Sequence, residues 1–431
     1  HDFVYSFKRT LNPQTKAEYA MFLEWIKGGT EAHNATTPEQ FEELWKNVGV
    51  VAKDDHTLEI TLVKPIGFFT QMLAFVTFFP QNKAFVEAQG EKNGGDVATT
   101  LGAGPFKLQT WNHEQSIVLV KNDKYWDAEN VKLEKITINI VKDNQTALNL
   151  FETGATDVTT LSGDAIAAYA GKPEYTVKQE LTNAYIMFQQ SKFAPFANAK
   201  IRAALALAID RETYVNVVLK NGSVAATGFV PNGTLDGNNN QFRKTAGDTL
   251  PAYNPEKAQQ LLKEGLAELG LESLPSFKLT ADDTEGAKKM LEFILAQWKQ
   301  NLGVEAVAEP LPFELRVERQ KAKDYDALVA LWGADYNDPM TFLDMWLSDS
   351  PFNYLDWKNA EYDAKVNAAD VEVDPAKRAQ LLVDAEKILM EEMAVAPIYF
   401  RSTVYAVNTK VKNLGLPSYG IEWELKWTYI E

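Results

Sequence analysis

The chain has 431 residues, a formal net charge of −16, 45% hydrophobic and 24% charged residues, and no cysteine. That length exceeds one ordinary hydrophobic core, so two or three domains are expected. The acidic balance, without basic clusters, argues against nucleic acid or an anionic membrane as partner, and the missing cysteines exclude disulfides, Cys-ligated zinc, iron–sulfur clusters and thiol catalysis.

In HDFVYSFKRTLNP, Phe3, Val4, Phe7 and Leu11 fall at helical spacing, and Asp2 is placed to cap that helix. The opening shows no initiator Met, charged n-region or signal-peptide core, and it reads as a piece whose N-terminus lies upstream. DHTLEITLVKP (55–65) alternates as a half-buried strand does. FFTQMLAFVTFF (68–79) is interrupted by Thr and Gln and falls short of the ~20 apolar residues of a membrane span; a buried helix or strand pair is expected. GAGPF (102–106) lacks the Lys and helix start of a phosphate loop and reads as a structural turn. GPFKLQTW (104–111), SIVLVKN (116–122) and KLEKITINIVKD (132–143) are strand candidates, and NQTALNLFETG (144–154) a helix stopped by Gly154.

The later chain changes character. ANAKIRAALALAID (197–210) is a helix with Ile201, Leu205, Ala208 and Ile209 on its apolar face, and Arg202 is expected to serve packing or an ion pair. NPEKAQQLLKEGLAELG (254–270) has Asn254 to cap and Pro255 at the first helical position. Strand 277–282, helix 284–303, strand 304–310, helix 313–323 and strand 326–332 then form a β-α-β-α-β run, the pattern of a parallel open sheet. DPAKRAQLLVDAEKILMEEM (374–393) opens on Asp374–Pro375, and IYFRSTVYAV (398–407) is a last strand returning toward the first part. The fold class expected is α/β, with a mixed first part and a doubly wound second part joined by strands.

The chemistry concentrates in LWGADYNDPMTFLDMW (331–346). In open α/β sheets ligands bind beyond the carboxyl ends of the strands, which is where Asp335 falls. Asp338 precedes Pro339 and is expected to cap the next helix; Asp344 lies inside that helix. Asp335 could serve its own turn, but a carboxylate beside Trp332 in a crevice calls for a cation or good donors. No Arg or Lys occurs between 324 and 357. A ligand ammonium ~4 Å away would gain ~4 kcal/mol at an effective dielectric of ~20. Asp335 and Asp338 also resemble the carboxylate pair of a glycosidase, but no GxSxG, Walker or GxGxxG motif supports catalysis. The four histidines, His1, His33, His56 and His113, are scattered without metal-ligand spacing. No enzyme activity, metal or cofactor is expected.

The sequence resembles the extracellular oligopeptide-binding proteins of ABC importers over essentially its whole length. The likeness is carried by DFVYSFKR (2–9), DDHTLEITL (54–62), GPFKLQTW with KNDKYWD (104–111, 121–127), APFANAKIRAALALAIDRE (194–212) and WGADYNDPMTFLDMW (332–346). The resemblance implies a two-lobed, periplasmic-binding-protein-like clamp with mixed sheets and a hinge of crossing strands, holding an extended peptide between its lobes. Its domain layout would be an accessory subdomain at 1–98, the main part of lobe one at 99–185 and 406–431, and lobe two at 186–405. By resemblance Asp335 pairs with the peptide α-ammonium, Trp332 and Gly333 line the first side-chain pocket, and Tyr19 borders the ligand from the other lobe. The partners implied are an oligopeptide and the permease subunits of an ABC transporter, with the receptor a monomer outside the cytoplasmic membrane. Family members add a lipid-anchored Cys, a signal peptide and first strands of lobe one ahead of the point where this sequence opens. The same scaffold binding an oligosaccharide or metal chelate, or a carboxylate-dependent hydrolase, are the alternatives.

Overall fold

Helix α1 (Asp2–Leu11) turns Ser6, Phe7, Thr10 and Leu11 inward, with Phe7 edge-on to Phe78 at 5.7 Å. Its N-cap is His1 rather than Asp2, which lies in the first turn and there complements the helix dipole. The computed structural model describes residues 1–238 and 240–431. Chain contacts divide it into two units: His1–Asp157 with Asn408–Pro417 and Ile421–Glu431, and Val158–Val407 with Ser418–Gly420.

In the first unit, the alternating stretch 55–65 contributes only β2 (Leu58–Ile60), antiparallel to β1 (Val50–Ala52). Isolated bonds extend the pairing, from the Thr61 amide to the Gly49 carbonyl at 2.8 Å. The apolar run 68–79 folds into two short turns, Phe69–Met72 and Val76–Phe78, that bury Phe68, Phe69, Met72 and Phe78. Among the described residues no helix is long and apolar enough to cross a membrane. β3 (Phe106–Asn112), β4 (Ser116–Lys121) and β5 (Lys135–Asn139) form an antiparallel sheet in that order. Helix α2 (Asn144–Glu152) is capped by Asp143, whose carboxylate accepts the Thr146 amide at 2.7 Å. Gly154 follows with φ 74°, a left-handed conformation that suits glycine.

The second unit is built on one sheet. Its strands are β6 (Val158–Leu161), β7 (Tyr175–Phe188), β8 (Val224–Ala225), β9 (Phe277–Asp282), β10 (Ala306–Leu311), β11 (Ala327–Gly333) and β12 (Val395–Val407). The order is β10-β9-β11-β7-β12-β6, with β8 paired to β12. Only β10, β9 and β11 are parallel; β7 runs antiparallel to both β11 and β12. The β-α-β-α-β run is thus parallel as its sequence pattern indicates, and the sheet it belongs to is mixed, as the resemblance implies. Parallel pairing holds only for strands joined by helical crossovers, and β7 lies outside that run. Strand β7 is continuous over its 14 residues.

Helices cover the sheet. α3 (Ala199–Leu207) packs against α4 (Pro255–Leu269), and Asn254 caps α4 as its sequence indicates. α5 (Glu285–Leu302) and α6 (Phe313–Lys321) supply the crossovers, and Trp298 of α5 is fully buried. The short α7 (Met340–Leu343) and the long α8 (Pro375–Glu391) follow, with Asp374 capping α8. Arg202, expected in a packing role, is buried and donates to the carbonyls of Phe196, Ala197, Glu392 and Met393 at 2.7–3.0 Å. The last two are carbonyls at the end of α8 that the helix cannot satisfy itself.

Candidate functional site

Strand β11 is buried for four residues, Ala327 to Ala330, and emerges at Leu331, Trp332 and Gly333. Its pairing with β7 ends at Gly333↔Thr182, and one further bond, from the Ala334 amide to the Leu181 carbonyl at 2.8 Å, fixes the exit. Asp335 comes next and is half-buried. Strand-end position, read from sequence, is thus where the structure puts it.

A short turn holds the exit against α7. The Asp335 amide donates to the Thr341 hydroxyl at 3.3 Å, and the Trp332 indole N–H donates to the Thr341 carbonyl at 2.8 Å. The Trp332 ring meets Phe352 edge-on at 5.2 Å, which fixes its orientation. Gly333 is exposed, and a methyl added to it would lie 3.2 Å from the Thr182 hydroxyl. These three residues of the second unit are brought together. Tyr19 belongs to the first unit, half-buried in an aromatic cluster with Phe22 at 5.3 Å and Phe75 at 4.8 Å.

The other two acids of the motif have different work. Asp338 is buried and forms a two-pronged ion pair with Arg378 of α8, both bonds 2.8 Å. It also accepts the Met340 amide at 2.9 Å, while Pro339 occupies the cap position of α7. The capping role expected for Asp338 is therefore secondary to charge pairing, because a buried carboxylate needs a countercharge. Asp344 was expected inside the helix; it instead opens a 3-10 turn, Asp344–Trp346, directly after α7. Burial pushes its carboxyl well above the usual carboxylate range, and the charges of Asp335, Asp370 and Asp338 add to that push. Tyr336, fully buried, is raised by burial and by the charges of Asp344, Asp338 and Asp335. The charge of Asp335 thus opposes ionisation of Asp344, and a cation arriving at Asp335 relieves that like-charge repulsion.

Sequence reasoning did not include the supports of this turn. Asn337 accepts the Leu235 amide at 2.9 Å, linking the turn to the 226–250 excursion. That excursion is anchored by Glu386 of α8, which is fully buried. Glu386 accepts the amides of Phe229 (3.0 Å) and Val230 (2.8 Å), the Thr249 hydroxyl (2.8 Å) and the Arg243 guanidinium. The signal available was weak: Arg378 and Glu386 sit in an ordinary amphipathic helix, with partners 40 and 143 residues away.

The bacterial extracellular solute-binding protein family 5 (middle) model matches residues 1–354. The dipeptide-binding protein DppE of Bacillus subtilis is 32% identical over 426 residues, spanning 99% of this chain and 77% of DppE. The oligopeptide-binding protein OppA of Bacillus subtilis is 30% identical over 430 residues, spanning 97% of this chain and 76% of OppA. Among solved structures, Listeria monocytogenes OppA bound to peptide is 38% identical, with a TM-score of 0.88, covering 100% of this chain and 83% of that one. The mixed α/β fold and the motif resemblance agree with these matches. The chain belongs to the bacterial extracellular solute-binding proteins of family 5.

Proposed function

We infer that this chain is an extracytoplasmic receptor that binds peptides in extended form and delivers them, unaltered, to an ABC permease. The observation that carries this reading is the kinship with peptide-binding proteins over nearly the whole chain, 38% identical to a peptide-bound OppA. In this reading it acts as a monomer, anchored at the cell surface or free outside the membrane, and has no catalytic role.

Asp335 takes the ligand's α-ammonium. It stands at the carboxyl end of β11, where its charge helps raise the Asp344 carboxyl and a cation relieves that repulsion. Trp332, held by Thr341 and Phe352, and the exposed Gly333 border the first residue of the ligand. Tyr19 is retained as a ligand-contacting residue of the first unit. The peptide backbone is satisfied by strand-like hydrogen bonds, so that affinity does not depend on a fixed sequence.

Calorimetry with tetra-alanine, free and N-acetylated, tests the assignment. Removing one member of a half-exposed charge pair costs about 2 kcal/mol, so Asp335→Asn is expected to weaken the free peptide about 30-fold. N-acetylation should do the same to the wild type. Equal binding by Asp335→Asn and wild type would remove Asp335 from the site.

A further inference from the structure

Strands β7 and β12 pair along most of their length, but their register slips where they pass the end of β11. Phe400 faces Asn183 and Ser402 faces Gln179, so Arg401 alone stands against Glu180, Leu181 and Thr182. Such bulges re-aim side chains and concentrate beside functional sites. The backbone released here bonds elsewhere: the Leu181 amide donates to the Ser418 carbonyl, and the Leu181 carbonyl accepts the Ala334 amide, both at 2.8 Å. The bulge is thereby tied to the strand end that delivers Asp335. Side chains alternate along a strand, so Glu180 and Thr182 share a face, the face on which Thr182 pairs with Gly333.

The charged groups on that face are arranged asymmetrically. Arg401 Nε and Nη2 approach Glu180 Oε2 at 2.6 and 2.5 Å, and the Thr403 hydroxyl donates to Oε1 at 2.6 Å. The Glu180 side chain is 7% exposed and the Arg401 side chain 42%. Among the described residues no hydrogen bond is made by Arg401 Nη1. The carboxylate is thus enclosed by its donors, and the charge turned to solvent, on the strand across β7 from the end of β11, is the positive one.

We propose that Arg401 is a specificity-determining residue that takes a ligand carboxylate on the order of 10 Å from the ammonium at Asp335, two strand spacings across the sheet. This rests on the peptide reading above. An extended peptide rises ~3.3 Å per residue. The carboxylate therefore belongs either to an acidic side chain within the first three residues or to the C-terminus of a tripeptide. Arginine's planar fork suits both.

Two sets of ligands separate these sources in calorimetry. One is tetra-alanine with Glu or Gln at position one, two or three; the other is trialanine with a free or amidated C-terminus. In wild type, one Glu/Gln ratio or the acid/amide ratio is expected to favour the carboxylate about tenfold, a value suited to a partly exposed charged hydrogen bond. Arg401→Met should bring that ratio to about one and Arg401→Lys to an intermediate value, with thermal melts confirming that each variant folds. Glu180→Gln, which releases the guanidinium, should raise it. A wild-type ratio of one throughout, or a preference that survives Arg401→Met, overturns the proposal. If those results accompany peptide binding that Asp335→Asn still weakens, the peptide reading stands and only the role of Arg401 falls. A wild type that binds none of these peptides overturns both.

Discussion

Glu386→Gln is the most informative single perturbation of the scaffold behind the site. The wild-type carboxylate accepts from four donors: two backbone amides of the 226–250 excursion, one hydroxyl and the Arg243 guanidinium. Both charged side chains are nearly dry, 0% exposed for Glu386 and 6% for Arg243. Glutamine keeps the shape but replaces one acceptor oxygen by a donor. If its oxygen faces Phe229 and Val230, the amide group confronts Arg243 and Thr249, and a buried guanidinium loses its countercharge at about 3–5 kcal/mol. Arg243 keeps the Gly247 carbonyl at 3.0 Å, which keeps the cost near the middle of that range rather than at its top. If the amide is turned the other way, two buried backbone donors go unsatisfied at about 1–3 kcal/mol each. Both orientations give a loss of about 4 kcal/mol. Hydrogen exchange followed by mass spectrometry is the assay, because it reads the Phe229–Val230 segment separately from the first unit. Protection there should fall about 1,000-fold, the factor equivalent to 4 kcal/mol. A fall of less than about fivefold would refute the reasoning, since it would mean the pair contributes nothing that shape alone does not.

Three further outcomes are expected. Asp344 has a folded-state pKa raised by burial and then by the charge of Asp335, so its contribution is full below its unfolded pKa near 4 and is lost as pH rises through the folded value. Thermal melts of Asp344→Asn against wild type should therefore diverge in the variant's favour as pH rises from about 4; parallel curves would contradict the raised pKa. Thr341→Val removes the hydroxyl that accepts the Asp335 amide but leaves the carbonyl that holds Trp332. Loss of about 1 kcal/mol there should weaken tetra-alanine about fivefold, and unchanged affinity in calorimetry would show that the turn is held without it. Gly333→Ala puts a methyl 3.2 Å from the Thr182 hydroxyl, which needs to give by only a few tenths of an ångström. Its Tm should drop by only a few degrees while peptide affinity falls more than tenfold, and the reverse pattern would place Gly333 in packing rather than at the ligand.

How much of this was legible depended on whether the forces were local. The run from β9 to β11 could be read almost to the residue, because amphipathic helices α5 and α6 and their stops leave a period in the sequence. The caps Asn254 and Asp374 were visible for the same reason. Strand β7 was not, since most of its second half is buried on both faces and such strands lose their alternation. The position of Asp335 followed from its place after a strand. The partner of Asp338 did not, because an arginine 40 residues on carries no local mark of where its side chain will reach. Motif resemblance compensated for part of this, and the comparisons bear out the family it indicated.

The pairing of β7 with β12 has a consequence for how the chain comes to be folded. Tyr175 pairs with Ala406 and Met187 with Val395, so the middle of the second unit's sheet joins segments separated by more than 200 residues. A ribosome adding residues from the N-terminus presents β7 long before its partner exists. Closing so large a loop is entropically costly and slow, and non-local sheets acquire their order late. The second unit therefore remains unclosed until nearly all of its sequence has been made, with β7 edges exposed to wrong partners. For a family whose members work outside the cytoplasm, that delay keeps the polypeptide in a state that can still be threaded through a narrow channel.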